Sequence, residues 1–426
     1  MLDSLELELS QAQRQQRAIV ELSWTRSRHV VVEACPGSGK TTTLLNRVMR
    51  GLKRGYCQAG QVVLISYTKE AANNFKRRLA AQGGPVLRCV TVHGWAYELL
   101  ARREAICLQE EEEGLALFKS LVDRGEGPEK WAQEDLSVGE GWQELNRRRE
   151  ERLLGEYEGL CEVYCREVRD RGKVDFTMLL ERCLELGLEN KGVRHVMVDE
   201  YQDMSRLQLE FLAGVHKGAH FEWYGDPNQA IYGFKGTGDV GPGLIGEVFG
   251  CGRLGVEVHS MSWSWRCPDE LMKAANRGLG LAEAALRGVV GGGDLAVRVF
   301  EGVADEVEAA EQWLRQGLSR RVLVRTRRQV ELFDEEVRGR VGTLHSSKGL
   351  EWDEVWVFHA VEGCIPHAMG DDREERRLFY VGLTRAKVGV VVSWSERGSK
   401  MEPLRCCRWV GLLAGEVQWD DDDEEF

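Results

Sequence analysis

The stretch Val30–Leu45, VVVEACPGSGKTTTLL, decides how the rest of the chain is read. An apolar run of strand length leads into a glycine-rich loop, and a helical pattern follows. Gly37 and Gly39 let backbone N–H groups turn onto phosphate oxygens. Lys40 brings a point charge to the β- and γ-phosphates of a nucleotide, and the Thr41 hydroxyl is placed to ligate Mg²⁺. Pro36, Gly37, Ser38, Gly39, Lys40, Thr41 and Thr42 are therefore candidate nucleotide-binding residues, with Ala34 where such loops usually start on a glycine. Phosphate loops serve kinases, GTPases, transporters and DNA motors alike, so the loop alone does not name the work.

Downstream, VMVDEYQD places Asp199 and Glu200 at the carboxyl end of a second apolar run. Asp199 suits the shell of a Mg²⁺ ion, and Glu200 suits a base that polarises water for attack on a γ-phosphate. Two acids after an apolar run are common by themselves. Paired with the upstream loop they indicate an NTPase using Mg²⁺.

At 426 residues, 43% hydrophobic and 30% charged, the chain has a globular composition with room for several domains. It holds no apolar run near the roughly 20 residues of a membrane span. The N-terminus, MLDSLELELSQAQRQQ, lacks the layout of a signal peptide. The expectation is a cytoplasmic protein, or a nuclear or viral intracellular one, that is neither secreted nor membrane-bound. The twelve cysteines show no paired CxxC spacing, which favours reduced thiols over zinc. Net charge is -12, and six of the 69 acids sit in one run, Asp420–Glu425; the remaining 63 acids still outnumber 57 basic residues. Nucleic acid would have to be held by a local groove and stacking side chains, not by a global basic field.

Strand-length apolar runs begin at Val30, Gln61, Val86, His195, Phe221, Arg320, Glu354 and Val388. Their alternation with helical patterns predicts an α/β fold with two parallel sheets, one drawn from residues up to about 255 and one from 256 onward. Residues 95–185 carry no clear strand and include the charge runs Glu110–Glu113 and Arg147–Arg152, which predicts a helical insertion. Gly288–Asp294, GVVGGGD, reads as a surface loop.

Further segments follow in order: GDPNQAIYGFKGT from Gly225, SWRCPDELMKAAN from Ser264, TLHSSKGLEWDEVWV from Thr343 and EERRLFYVGLTRAK from Glu374. With the loop and DEYQD, this ordered set closely resembles superfamily 1 DNA helicases of the UvrD/Rep type, from about Gln15 to Ser393. The resemblance implies two RecA-like domains, 1A (1–94 and 186–255) and 2A (256–415), a helical 1B insertion (95–185) and an acidic tail (416–426). It implies an ATP-dependent single-stranded-DNA translocase of 3′→5′ polarity. Gln15, three residues before Ala18, fits the family's adenine-reading glutamine, with Gln13 and Gln16 as neighbouring registers. Trp265 takes the place of an adenine-stacking tyrosine. Arg266 and Arg385 match the arginines that reach the γ-phosphate, Gln229 its sensor, and Glu351 the ribose-binding acid. Strand contacts carry over to Tyr67 and Thr68 in SYTK, Thr91 and His93 in TVHG, Phe234 and Lys235 in GFKG, and His345 in TLHSSKG.

The chain departs from the family in places. Lys235 replaces an arginine and loses its bidentate fork, and Lys69-Glu70 replaces a typical Asn-Lys. Arg325 and Thr343 are 18 positions apart where relatives carry a helical 2B subdomain, so that subdomain is expected to be absent and processive unwinding is in doubt. The tail VQWDDDDEEF fits a solvated appendage, a peptide for a protein partner, or a strand mimic that folds back into the chain's own groove. Two other readings share the motifs: the motor subunit of a larger nuclease or defence assembly, and a nucleotide-gated DNA clamp. Nothing in the residues sets the oligomeric state.

Overall fold

Thirteen strands occur among the described residues, and every apolar run noted above forms one. In chain order they are β1 (His29–Ala34), β2 (Val62–Ile65), β3 (Arg88–Val90), β4 (His195–Asp199), β5 (His220–Gly225), β6 (Val256–Met261), β7 (Trp263–Ser264), β8 (Arg287–Gly288), β9 (Asp294–Gly302), β10 (Arg320–Val324), β11 (Val341–Thr343), β12 (Trp352–Val357) and β13 (Ala386–Arg397). The computed structural model describes residues 2–24, 29–126, 137–237 and 240–413. The acidic tail lies outside these residues. The chain divides into two units. One comprises Ile19–Glu33 and Thr41–His259, and the other Met1–Ala18, Ala34–Lys40 and Ser260–Phe426; they are called the first and second units below.

The first unit is organised by a six-stranded sheet in the order β3-β2-β4-β5-β1-β6. The pairs from β3 to β1 are parallel. Residues from 256 onward were assigned to the second sheet, but Val256–Met261 form β6, a strand not foreseen, which closes the edge of the first sheet instead. Its sequence, VEVHSM, has only its two end residues buried, so no apolar run marks it. The register sets Asp199 opposite Tyr224 and Glu33 opposite Gly225, which brings the carboxyl ends of three strands to one level. Ligand sites of open parallel sheets gather at such ends.

The helices Val92–Leu100 and Phe176–Glu185 lie inside the expected 95–185 insertion or straddle its edge. Yet Trp95, Leu100, Leu179 and Cys183 belong to the sheet's own core. The separate helical core is smaller, built from Phe118, Trp142, Leu145, Leu160, Tyr164 and their neighbours. Side-chain caps fix the helix starts. Thr68, Thr91, Asp175 and Ser205 accept from Ala71, Gly94, Met178 and Gln208 backbone N–H groups.

At the amino ends of the same strands sits a buried polar cluster. The Arg47 guanidinium and the Glu222 carboxylate, 0% and 1% exposed, pair through Nε at 2.8 and 2.6 Å. Parallel register sets His195 opposite His220, and His29 starts the next strand. Burial, reinforced by His220, holds His29 and His195 down to about 4, and burial alone does the same to His216. Neither ring nitrogen of His216 has a hydrogen-bond partner among the described residues. An unfolded histidine titrates near pH 6.5. Between about pH 6.5 and 4 the unfolded chain therefore binds more protons than the folded one, and stability falls as pH falls. Thermal melts from pH 7.5 to 5 are expected to show a marked drop in Tm below pH 6.5, and a flat profile would contradict these three neutral histidines.

The second unit carries a parallel five-stranded sheet, β11-β10-β12-β13-β9. Trp313, Trp356, Phe333 and Phe358 fill the core on one face. Residues 289–293 form the expected loop between β8 and β9, while Gly288 and Asp294 at its ends are strand residues, Gly288 pairing in β8 with β7. A Cβ there would meet the Asp269 nitrogen at 2.3 Å. Residues 325–340 form only two short helices, Arg327–Val330 and Glu335–Arg338, so no subdomain stands between β10 and β11. No helix among the described residues is long and apolar enough to cross a membrane.

Candidate functional site

The loop after β1 turns at Gly37 and Gly39, both in the left-handed region (φ 73° and 80°). Within the second unit it is gripped by the segment 264–266. The Ser264 hydroxyl donates to the Pro36 carbonyl at 2.7 Å, and the Trp265 N–H donates to the Gly37 carbonyl at 2.9 Å. A Cβ on Gly37 would lie 2.4 Å from that of Arg266, so the approach requires glycine. The Ser38 hydroxyl is buried with no hydrogen-bond partner among the described residues. An orphaned donor inside a glycine-rich loop suits a phosphate oxygen. Lys40 opens the helix Lys40–Lys53, followed by Thr41 and by Thr42, whose hydroxyl accepts from Arg78 at 2.7 Å.

The glutamines separate by partner. Gln15 spends both ends of its amide on Ser262, at 3.0 Å each, while Gln16 donates to the Ser38 carbonyl at 2.8 Å. Gln13 is exposed. Trp265 presents an indole that is 38% exposed. Arg266 and Lys387 both bind Glu351, at 2.7 and 2.8 Å. The Lys387 hydrogen bond and the two positive charges hold the Glu351 carboxyl below the usual range. Arg385 is buried, with Nε donating to the Val381 carbonyl at 2.9 Å and further contacts to Leu350 and Thr384. His345 opens the short turn His345–Ser347 in the same unit and is half-buried.

In the first unit, Asp199 ends β4 buried, and its carboxylate accepts from the Glu200 N–H at 3.2 Å. Glu200 is one of few non-glycine residues in the left-handed region (φ 56°), a conformation that costs energy and recurs at functional sites. A relay that motif reading missed runs from it. Gln202 donates to Glu200 at 2.8 Å, accepts from the Asp226 N–H at 3.1 Å, and Gln229 donates to the Asp226 carboxylate at 2.8 Å. Gln202 and Asp226 were visible only as polar letters beside the motif residues.

Tyr232 and Phe234, three and five residues beyond Gln229, form an aromatic row with Tyr67. Tyr67 and Tyr232 stack at 5.8 Å and 8°, and Phe234 stands edge-on to Tyr232 at 6.2 Å. Tyr232 was not singled out from the sequence; its signal was the alternation Tyr-Gly-Phe. Burial raises the Tyr67 phenol well above its usual range and Tyr232 to about 12, so both stay neutral. Phe234 is 44% exposed. Thr68 and Thr91 accept cap bonds, which leaves each hydroxyl hydrogen to donate elsewhere. His93 stands edge-on to Phe176 at 5.3 Å, with its Nε2 buried and without a hydrogen-bond partner among the described residues. The side chain of Lys235 lies outside the described residues.

For a divalent ion, the chain offers the Asp199 carboxylate and the Thr41 hydroxyl. Among the described residues no cluster of three or more His, Cys, Asp or Glu is arranged to hold a metal. That donor set fits Mg²⁺, which keeps waters and phosphate oxygens as most of its ligands.

Comparison with known proteins identifies the family. Residues 12–239 match the UvrD/REP helicase N-terminal domain model, and residues 297–397 match the UvrD-like helicase C-terminal domain. The chain is similar to the ATP-dependent DNA helicase Rep of Escherichia coli, 25% identical over 275 residues, covering 58% of this chain and 40% of Rep. It is similar to the ATP-dependent DNA helicase SRS2 of Saccharomyces cerevisiae, 25% identical over 279 residues, covering 53% of this chain and 23% of SRS2. A shorter match, 43% identical over 63 residues, is to UvrD2 of Mycobacterium tuberculosis, covering 13% of this chain and 9% of UvrD2. The aligned parts span less than half of these relatives' own length.

Proposed function

Because the chain belongs to the UvrD/Rep helicase family, with two RecA-like parallel-sheet units, we propose that it hydrolyses ATP to move along single-stranded DNA. The observation that carries the reading is one continuous segment, Asp226–Phe234. It begins in the relay from Glu200 to Gln229 and ends in the Tyr232–Phe234 stacking row. A change in how Gln229 meets phosphate therefore acts on the strand grip through a few residues of backbone.

The nucleotide assignment follows the donor types. Gly37, Gly39 and the orphaned Ser38 hydroxyl receive phosphate oxygens, Lys40 neutralises the β/γ charge, and Trp265 stacks on the base. Thr41 and Asp199 would hold Mg²⁺, which would supply charge neutralisation at the phosphates. Glu200 accepts the proton of the attacking water, and Gln229 orients that water. Arg266 and Arg385 supply positive charge as the γ-phosphoryl group leaves. Arg266 pairs with Glu351; a ribose hydroxyl on Glu351 and a phosphate on Arg266 would exchange that pair for two ligand contacts. Arg266 and Arg385 belong to the second unit and Glu200 to the first.

Bases stack on Tyr67, Tyr232 and Phe234, and the Thr68, Thr91 and His93 groups meet the backbone. The absence of a subdomain between β10 and β11 favours translocation over processive unwinding. Strands of increasing length with a fluorophore at either end test this. With 3′→5′ movement, the signal from a 5′ label is delayed in proportion to length and that from a 3′ label is not. Length-independent signals at both ends would instead indicate a clamp.

A further inference from the structure

The run Arg147–Arg152, RRREER, reads as a solvated charge face, and half of it is. Arg147 and Arg148 pair with Glu144 and Glu151 along their own helix, Val138–Glu151. Two of the run's residues are buried. Arg149 is 1% exposed and binds Asp175 at 2.7 and 3.2 Å; Glu150 is 9% exposed and accepts from the hydroxyls of Thr177, at 2.9 Å, and Ser205. Arg152 ends the helix in the left-handed region and binds Glu181 and Glu210.

These partners are not scattered. Asp175 and Thr177 flank Phe176, the ring that stands against His93. Ser205 follows the Glu200–Gln202 segment by three residues and caps the next helix. Gly236, just after the turn Gly233–Lys235 that presents Phe234, meets the same helix end. A Cβ there would lie 2.7 Å from the Arg147 carbonyl and 3.0 Å from the Glu150 Cβ, at a φ of 74°. Tyr67, too, lies close enough to Glu150 to feel its charge. One buried carboxylate thus stands among the His93–Phe176 pair, the Phe234 turn and the segment after the catalytic acid.

We propose that Glu150 is a positioning residue: through Ser205, Thr177 and the contact with Gly236 it fixes the Phe234 turn and the His93–Phe176 pair in the register a strand requires, and ties that register to the Glu200 segment. The inference rests on the strand-binding role given to Phe234 above. A buried carboxylate satisfied by two hydroxyls is well placed for this, because each bond spans elements distant in sequence and losing the carboxylate strands both donors.

The test is strand-stimulated ATP turnover of Glu150→Ala, Glu150→Gln, Gly236→Ala and, as the control for the strand reading, Phe234→Ala, each checked by thermal melting. Glu150→Ala is expected to raise the strand concentration for half-maximal stimulation about ten-fold, with unstimulated turnover within about two-fold of the parent. Glu150→Gln, which still reaches both hydroxyls, is expected to restore most of the loss, and Gly236→Ala to reproduce it by displacing the turn. If Glu150→Ala does not fold, the Gly236→Ala and Glu150→Gln results decide the matter by the same criterion. A lower melting temperature with unchanged half-saturation, while Phe234→Ala weakens the strand, would make the clasp purely structural and overturn the inference alone. No effect of Phe234→Ala would overturn the strand reading, and the inference with it.

Discussion

Replacing Glu200 with glutamine is expected to slow strand-stimulated ATP turnover by roughly 10²- to 10⁴-fold, the usual worth of a positioned general base. Nucleotide affinity is expected to stay within a few-fold. Glutamine keeps the volume of glutamate and can accept the Gln202 hydrogen bond at the same oxygen position. The left-handed backbone at this position is unaffected by an isosteric change. What disappears is the capacity to take a proton from water. The Gln202–Asp226–Gln229 relay remains, so strand affinity in the ATP-bound state should persist. Steady-state turnover beside fluorescence anisotropy of a labelled strand measures both quantities. Turnover within a few-fold of the parent would remove Glu200 from the chemistry and leave the base unassigned.

The second large effect concerns stability. Glu222→Ala is expected to destabilise the first unit by about 3–5 kcal/mol, because it leaves a buried guanidinium without its counter-charge. Glu222 takes two Arg47 contacts through Nε, one through Nη2 at 2.5 Å, and the Tyr224 hydroxyl at 2.8 Å. Arg47 also donates to the Leu22 carbonyl at 2.7 Å and lies over the Trp24 ring at 4.7 Å. Burial pushes the Glu222 carboxyl up, but the charge and hydrogen bonds of Arg47 outweigh it and hold the group ionised. Removing both charges together, as Arg47→Met with Glu222→Leu, is expected to cost far less than the single change. Urea unfolding of the three chains separates the cases. A single-variant loss below about 1 kcal/mol would show that water reaches Arg47 in the variant.

The parts of the molecule legible in the sequence are those whose signal is local. The Val30–Leu45 segment carries strand, loop and helix in sixteen consecutive letters, and the structure forms each in that order. Strand β9 was missed for a local reason of its own. As an edge strand it is half-exposed, and Asp294, Arg298 and Glu301 break its apolar run. Strand β6 escaped likewise.

Other features depend on pairings that a single chain of letters does not display. Gln202 becomes a relay only when β4 and β5 lie side by side. The histidine row exists because parallel register sets His195 against His220. Arg149 and Glu150 look like their solvated neighbours until helices distant in sequence close over them. The edges of the helical insertion blur for the same reason. Trp95 and Leu179 carry helical patterns like those of the insertion, but the apolar surface they cover belongs to the sheet.

The most direct test of the central claim is steady-state ATP hydrolysis with and without single-stranded DNA, with Lys40→Ala as the control. The account predicts stimulation of about ten-fold or more, equivalent to about 1.4 kcal/mol in the barrier, and its loss in the Lys40 variant. Measurable basal turnover that single-stranded DNA leaves unchanged would contradict the coupling of the Glu200–Gln229 relay to the Tyr67–Tyr232–Phe234 row.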